Sequence, residues 1–327
     1  MSRRTLAVLS FLLFAALAPA ALADGGGPSP GVMIGGDGVL APGGKVRYVV
    51  LPGGADTSVA AIRTSDGFLE GAAFVAGAFG IPMVTQDGAT GGISHNGKTL
   101  VLGDAMFGLP LRTVSHFIVL DPRQLQLAPH EILLPGDYSY DALSPNGKRL
   151  YLIQHMSARN LTHYVVRAYD LAGDRLLPGR IADRTQRGWV MNGYPVTRAT
   201  SDDGRWAYTL YQNPGGYPFV HALDTVRGVA HCIGIPWQGT DQNALWNIRL
   251  ALREGGKQLA VHWRSGRPFL NVDTRTWRIS TAVGAGFPWL LVAGGIAAAA
   301  ALAGIALLLR RRLAGARAEG PFPVPAA

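Results

Sequence analysis

The chain has 327 residues, 48% of them hydrophobic and 16% charged, with a single cysteine and a formal charge of +9. Of its 30 Lys and Arg, 24 lie in residues 24–286, with 20 of the 21 Asp and Glu, so the excess there is only +4. These values exclude a disulfide framework and a cysteine-rich metal cluster, and they leave no basic patch of the kind nucleic acid requires.

Residues 1–23 read as a secretory signal peptide. Arg3 and Arg4 form a basic start, Leu6 to Leu17 is apolar apart from Ser10, and Ala21-Leu22-Ala23 is a small-x-small cleavage signal. An uncleaved N-terminal anchor is the competing reading of this stretch. Residues 24–39, rich in Gly and Pro, follow as a leader.

From residue 40 to 284 the chain repeats. Five turns of the form x-Gly-Lys or x-Gly-Arg have their central glycines at Gly44, Gly97, Gly147, Gly204 and Gly256, spaced 53, 50, 57 and 52 residues apart. All four lysines of the chain sit directly after one of these glycines. A strand-like run precedes each turn, as in Tyr140 to Leu143, and another follows, as in Leu150 to Ile153. A third strand ends in Asp121, Asp170, Asp224 or Asp273, where Asp starts a turn, and a fourth run follows. Four short antiparallel strands per unit of about 50 residues, five times over, predict an all-β fold: a five-bladed β-propeller of four-stranded antiparallel blades. The turn Ser144-Pro-Asn-Gly-Lys-Arg-Leu-Tyr-Leu152 resembles the signature of the YVTN-type and WD-like bacterial propeller repeats, and residues 94–102 and 201–211 match it more loosely. That resemblance implies a propeller over about residues 40–284 and points to no activity. No Trp-Asp dipeptide closes a repeat.

The loops entering the innermost strand of each unit are the most distinctive segments. They hold Tyr138, Tyr140 and Asp141, then Trp189, Asn192 and Tyr194, then Trp246, Asn247 and Arg249. Aromatic, amide and charged groups gathered on one rim suit a ligand. Six residues before each turn glycine stand Gly38, Gly91, Asp141, Arg198 and Leu250, with Arg249 next to the last. This register predicts that Asp141 and Arg198 approach each other in the channel, either as a structural ion pair or as part of a ligand site. The eight histidines show no metal-ligand spacing and no Gly-x-Ser-x-Gly elbow is present. No catalytic residue, metal ligand or cofactor is therefore expected. Cys232, in an apolar run, reads as a buried small hydrophobe.

Phe287 to Leu309 holds 23 residues without a charge, about 34 Å as a helix, and Arg310 to Arg312 follow at once. This predicts a single transmembrane helix with residues 310–327 as a short cytoplasmic tail and the propeller outside, close to the membrane surface. The expected function is a membrane-tethered binding or scaffold module that takes a protein, peptide or cell-envelope ligand through its rim and channel. The alternative is a hydrolase or lactonase-like enzyme with its site in the channel.

Overall fold

The repeated turn is closed by the same side-chain bonds in three copies. Ser144 Oγ donates to Asn146 Oδ1 (2.7 Å) and accepts from the Arg149 N–H (2.9 Å), while Asn146 Oδ1 accepts from the Lys148 N–H (3.1 Å). The same set recurs at Ser94 and Asn96 and at Ser201 and Asp203. The next residue is left-handed, with φ of 67°, 70° and 70° at Gly97, Gly147 and Gly204, a conformation glycine adopts without steric cost. Each such turn joins two antiparallel strands.

The computed structural model describes residues 29–105, 111–185, 191–238 and 241–281. The signal peptide, the start of the leader, the expected membrane span and tail, and Trp189 lie outside the described residues. Among the described residues no helix is long and apolar enough to cross a membrane.

After β1 (Val32–Met33), the first sheet runs β2 (Val39–Leu40), β3 (Val46–Gly53), β4 (Asp56–Arg63), β5 (Leu69–Ala76). The second is β6 (Phe79–Pro82), β7 (Leu100–Asp104), β8 (Val114–Leu120), β9 (His130–Pro135). The third is β10 (Tyr138–Leu143), β11 (Arg149–His155), β12 (His163–Asp170), β13 (Arg175–Leu176), followed by β14 (Met191–Asn192). The fourth is β15 (Tyr194–Thr200), β16 (Trp206–Gln212), β17 (Phe219–Asp224), β18 (Val229–Gly234). The fifth, after a short 3-10 helix at Asn243–Asn247, is β19 (Ile248–Arg253), β20 (Gln258–Trp263), β21 (Pro268–Asp273), β22 (Ile279–Thr281). The protein is thus all-β, with one antiparallel sheet per sequence repeat.

Two sheets depart from the uniform four strands. β1 adds to the free edge of β6, pairing Val32 with Pro82 and Met33 with Ile81. β14 adds to the start of β12, because β13 is only two residues long and covers just the far end of that strand. The fifth sheet draws its four strands from its own repeat, so residues 32–40 do not complete it.

The core lies between consecutive sheets. One apolar cluster joins the first and second (Val50, Val59, Ile81, Leu102), another the second and third (Val101, Phe117, Tyr138, Leu152). Ala142, Tyr151, Ala207 and Leu223 join the third and fourth, and Leu210, Val220, Val261 and Val272 the fourth and fifth. The other face of the first sheet is apolar but open, with Leu40, Leu51, Leu69 and Phe74 exposed, Phe74 at 74%.

In four of the five sheets the turn from third to fourth strand closes on a left-handed residue four places after its start. Gly67, Asp174 and Gly228 hold that place with φ of 73°, 49° and 67°. In the fifth sheet the residue is Trp277, with φ of 61° and its N–H donating to the Asp273 carbonyl at 2.8 Å. For a bulky side chain this backbone costs roughly 1–2 kcal/mol.

Candidate functional site

The inner strand of the third sheet carries a bulge. Tyr140 pairs with Leu152 and Ala142 with Tyr151, so Asp141 is the extra residue and its side chain is re-aimed. It meets Arg198, which β15 holds in the fourth sheet. One guanidinium nitrogen bonds the Asp141 carboxylate, a second donates to the Asp141 carbonyl at 2.5 Å, and Nε donates to Thr209 Oγ1 at 2.8 Å. The Asp141 and Arg198 side chains are 2% and 8% exposed, so both charges are nearly dry. Burial is the largest influence and pulls the Arg198 pKa down, but the Asp141 charge and bond, together with Tyr211 and Tyr140, outweigh it and hold the guanidinium above its ordinary value.

This pair borders a cavity of about 720 Å³ to which the first four sheets contribute. Four of the five register positions, Gly38, Gly91, Asp141 and Arg198, line it. The fifth, Leu250, packs into the core between the fourth and fifth sheets. The two glycines make room: a Cβ at Gly91 would lie 2.5 Å from the Tyr140 ring, and one at Gly38 would lie 2.0 Å from the Tyr48 carbonyl oxygen. Tyr140 lines the cavity too, its hydroxyl pushed up to a pKa of about 12 by burial.

The rim residues expected at the site separate. Tyr138 is buried, and Arg112 bonds its carbonyl while holding Asp137 Oδ1 at 2.8 Å. Asn192 binds Thr162 and reaches Asn213 at 3.3 Å, and Tyr194 pairs with Gln212 at the start of β15. Trp246 and Asn247 sit exposed on the 3-10 helix. Arg249 Nε faces Asp87 Oδ2 at 3.5 Å. Asp87 belongs to a loop of the second sheet that also bonds the fourth, through Gln86 N–H to the Pro195 carbonyl at 2.9 Å. Among the described residues of the expected set, only Tyr140, Asp141 and Arg198 line the cavity.

The remaining walls come from the opposite, turn-bearing ends of the strands. They include Asp37 and Arg47, paired at 2.6 Å, and the exposed His95 and Thr200. The signal in the sequence is the glycine at register positions 38 and 91, where neighbouring atoms approach too closely for a side chain.

Among the described residues no three His, Cys, Asp or Glu side chains converge as a metal site. Cys232 is buried, with its thiol pushed up to about 12 by burial, and Sγ stands 3.6 Å from His221 Nδ1.

The chain matches no protein-family model and no curated protein. It is similar in fold to solved structures of hydrazine synthase from Kuenenia stuttgartiensis (16% identity, 72% of this chain and 75% of that one, TM-score 0.38) and TolB from Acinetobacter baumannii (14%, 73% and 54%, 0.41). The β-propeller domain of Cps50 (Swd1) from Myceliophteria thermophila is similar at 9% identity, 71% and 62% coverage and a TM-score of 0.41. The chain thus spans just over half the length of the TolB chain. At these identities the likeness concerns the fold alone.

Proposed function

We propose that the protein is an exported, membrane-tethered, five-bladed β-propeller of the YVTN-type, WD-like kind, and that it works as a binding or scaffold module. Each of the five sheets is one blade. Residues 287–309 anchor it, with the blades outside the cytoplasm and a short tail inside. Its ligand is a protein, peptide or cell-envelope fragment, held at the central cavity. The observation that carries this reading is the cavity itself, a space of about 720 Å³ bordered by a charge pair whose bonds are already made. Such a pair shapes and polarises a recess without offering a free nucleophile or base.

The test is affinity capture from envelope extracts with the detergent-solubilised full chain. His95→Trp with Thr200→Trp fills the cavity from two exposed positions and leaves the core untouched. The variant is expected to lose the captured ligand, and an unchanged set of captured molecules would overturn the proposal.

A further inference from the structure

A second recess crosses the seam between the fourth and fifth sheets, at the turn-bearing ends. It has a volume of about 730 Å³. Its walls are aromatic: Trp206, Tyr208 and His231 from the fourth sheet and Trp277 from the fifth. The Trp277 indole stacks on the His231 ring (4.8 Å, 24° between planes) and meets Trp206 edge-on (5.4 Å, 65°), while Trp206 stacks with Tyr208 (5.9 Å, 17°).

Trp277 is the anomaly. Its turn position is glycine in the first and fourth sheets and aspartate in the third, because the backbone there is left-handed. A tryptophan at such a place is strained, and strain of this kind persists where the side chain has a task that a relaxed residue does not perform. The polar groups around the indole are balanced. Arg205 is committed to Asp224, at 2.5 and 3.0 Å. That leaves Arg227 and Arg275 against Asp202 and the Oδ2 of Asp203, whose Oδ1 closes its turn, along the same recess. A charged ligand would meet as many like charges as opposite ones. A neutral molecule rich in hydroxyls, which both donate and accept, matches this mixture of guanidinium and carboxylate groups. The apolar C–H face of a sugar ring matches an aromatic wall.

We infer that the recess between the fourth and fifth sheets is a binding site for a neutral oligosaccharide, with a sugar ring against Trp277 and its hydroxyls among Arg227, Arg275, Asp202 and Asp203. The two recesses share Ser201 in their walls, but none of Trp277, Arg227, Arg275, Asp202 and Asp203 lines the central cavity, so each proposal can fail alone.

Titration of the full-length protein with cellotetraose, maltotetraose and tetra-N-acetylchitotetraose, followed by tryptophan fluorescence and calorimetry, tests it. Saturable binding of at least one tetrasaccharide at one site per chain is expected. Trp277→Gly relieves the strained turn but gives up the indole's packing against the core between the fourth and fifth sheets, so its Tm is measured alongside its affinity, which should fall at least tenfold. If none of the three saturates, or if Trp277→Gly binds as tightly as wild type, the inference is overturned. If Trp277→Gly melts early, Arg227→Ala with Arg275→Ala decides, since both side chains are exposed. Unchanged affinity in that double variant overturns the inference, and a tenfold loss with unchanged Tm upholds it.

Discussion

Arg198 and Asp141 are each out of water, and each offsets the other's desolvation. Removing one leaves a bare charge in a dry place. Arg198→Met is therefore expected to cost about 3–5 kcal/mol of unfolding free energy in urea denaturation, and adding Asp141→Leu should recover most of it. A loss below about 1 kcal/mol, the size of an exposed pair, would show that water reaches the carboxylate. The meeting of these two residues was legible in the sequence, because counting back from the turn glycine places them on adjacent inner strands. How they meet was not. The bulge at Asp141 depends on the pairing of Tyr140 and Ala142 with β11, and no local residue type announces it. The wide scatter of the rim residues has the same origin. The register position in the fifth sheet is Leu250, which packs in the core, while its neighbour Arg249 is held away from the cavity by Asp87, from a loop far away in sequence.

At the scale of elements, the hairpin turns were the plainest part of the sequence, because their chemistry is local. Ser144 Oγ takes part in two bonds that fix its turn, to Asn146 and from the Arg149 N–H. Ser144→Ala strips both, and since Ser144 is buried the loss is expected to be about 1–2 kcal/mol, read as a lower urea midpoint with an unchanged m-value. Gly147→Ala should cost more, since its Cβ would lie 2.2 Å from Thr99 Oγ1 of the second sheet on a backbone with φ of 70°. The short strands were illegible for the opposite reason. β1 and β14 are two residues each, too short to show a period, and their places are set by edges that other strands leave free. Likewise, the sequence showed the aspartates that open the third turns, yet not that Trp277 would be forced left-handed at the close of one.

For the molecule as a whole, acid should act in two stages. Burial lowers the His221 pKa to about 4, opposed by the charges of Asp141 and Asp183 and aided by Arg198. The unfolded chain binds a proton at this residue below about pH 6.5 and the native protein does not until about pH 4, so stability falls as pH drops through that window, by roughly 3 kcal/mol. Asp137, Asp183 and Asp224 respond later. Burial is the largest influence and raises their pKa values, but the neighbours together prevail: His155 and Arg112 at Asp137, Cys232 and Thr185 at Asp183, and Arg205 with the Arg227 and Val226 N–H groups at Asp224, so all three end below the ordinary carboxylate value. Their contribution is intact above about pH 4 and disappears as pH falls through the lowered values. Urea midpoints at pH 7, 5.5 and 4 measure the first stage, and His221→Gln should flatten it; an identical slope in the variant would assign the loss elsewhere. The five-sheet plan was readable from a period of about 50 residues, whereas the open face of the first sheet, with Leu51 and Phe74, came only with the packing. One property of that plan bears on how the chain comes into being. Among the described residues, nearly every strand finds its partners within its own repeat, while β1 must wait for β6 to emerge. Pairings so close in sequence need little loop closure. A chain that emerges N-terminus first can set down its sheets one after another, and a chain halted midway already holds finished sheets.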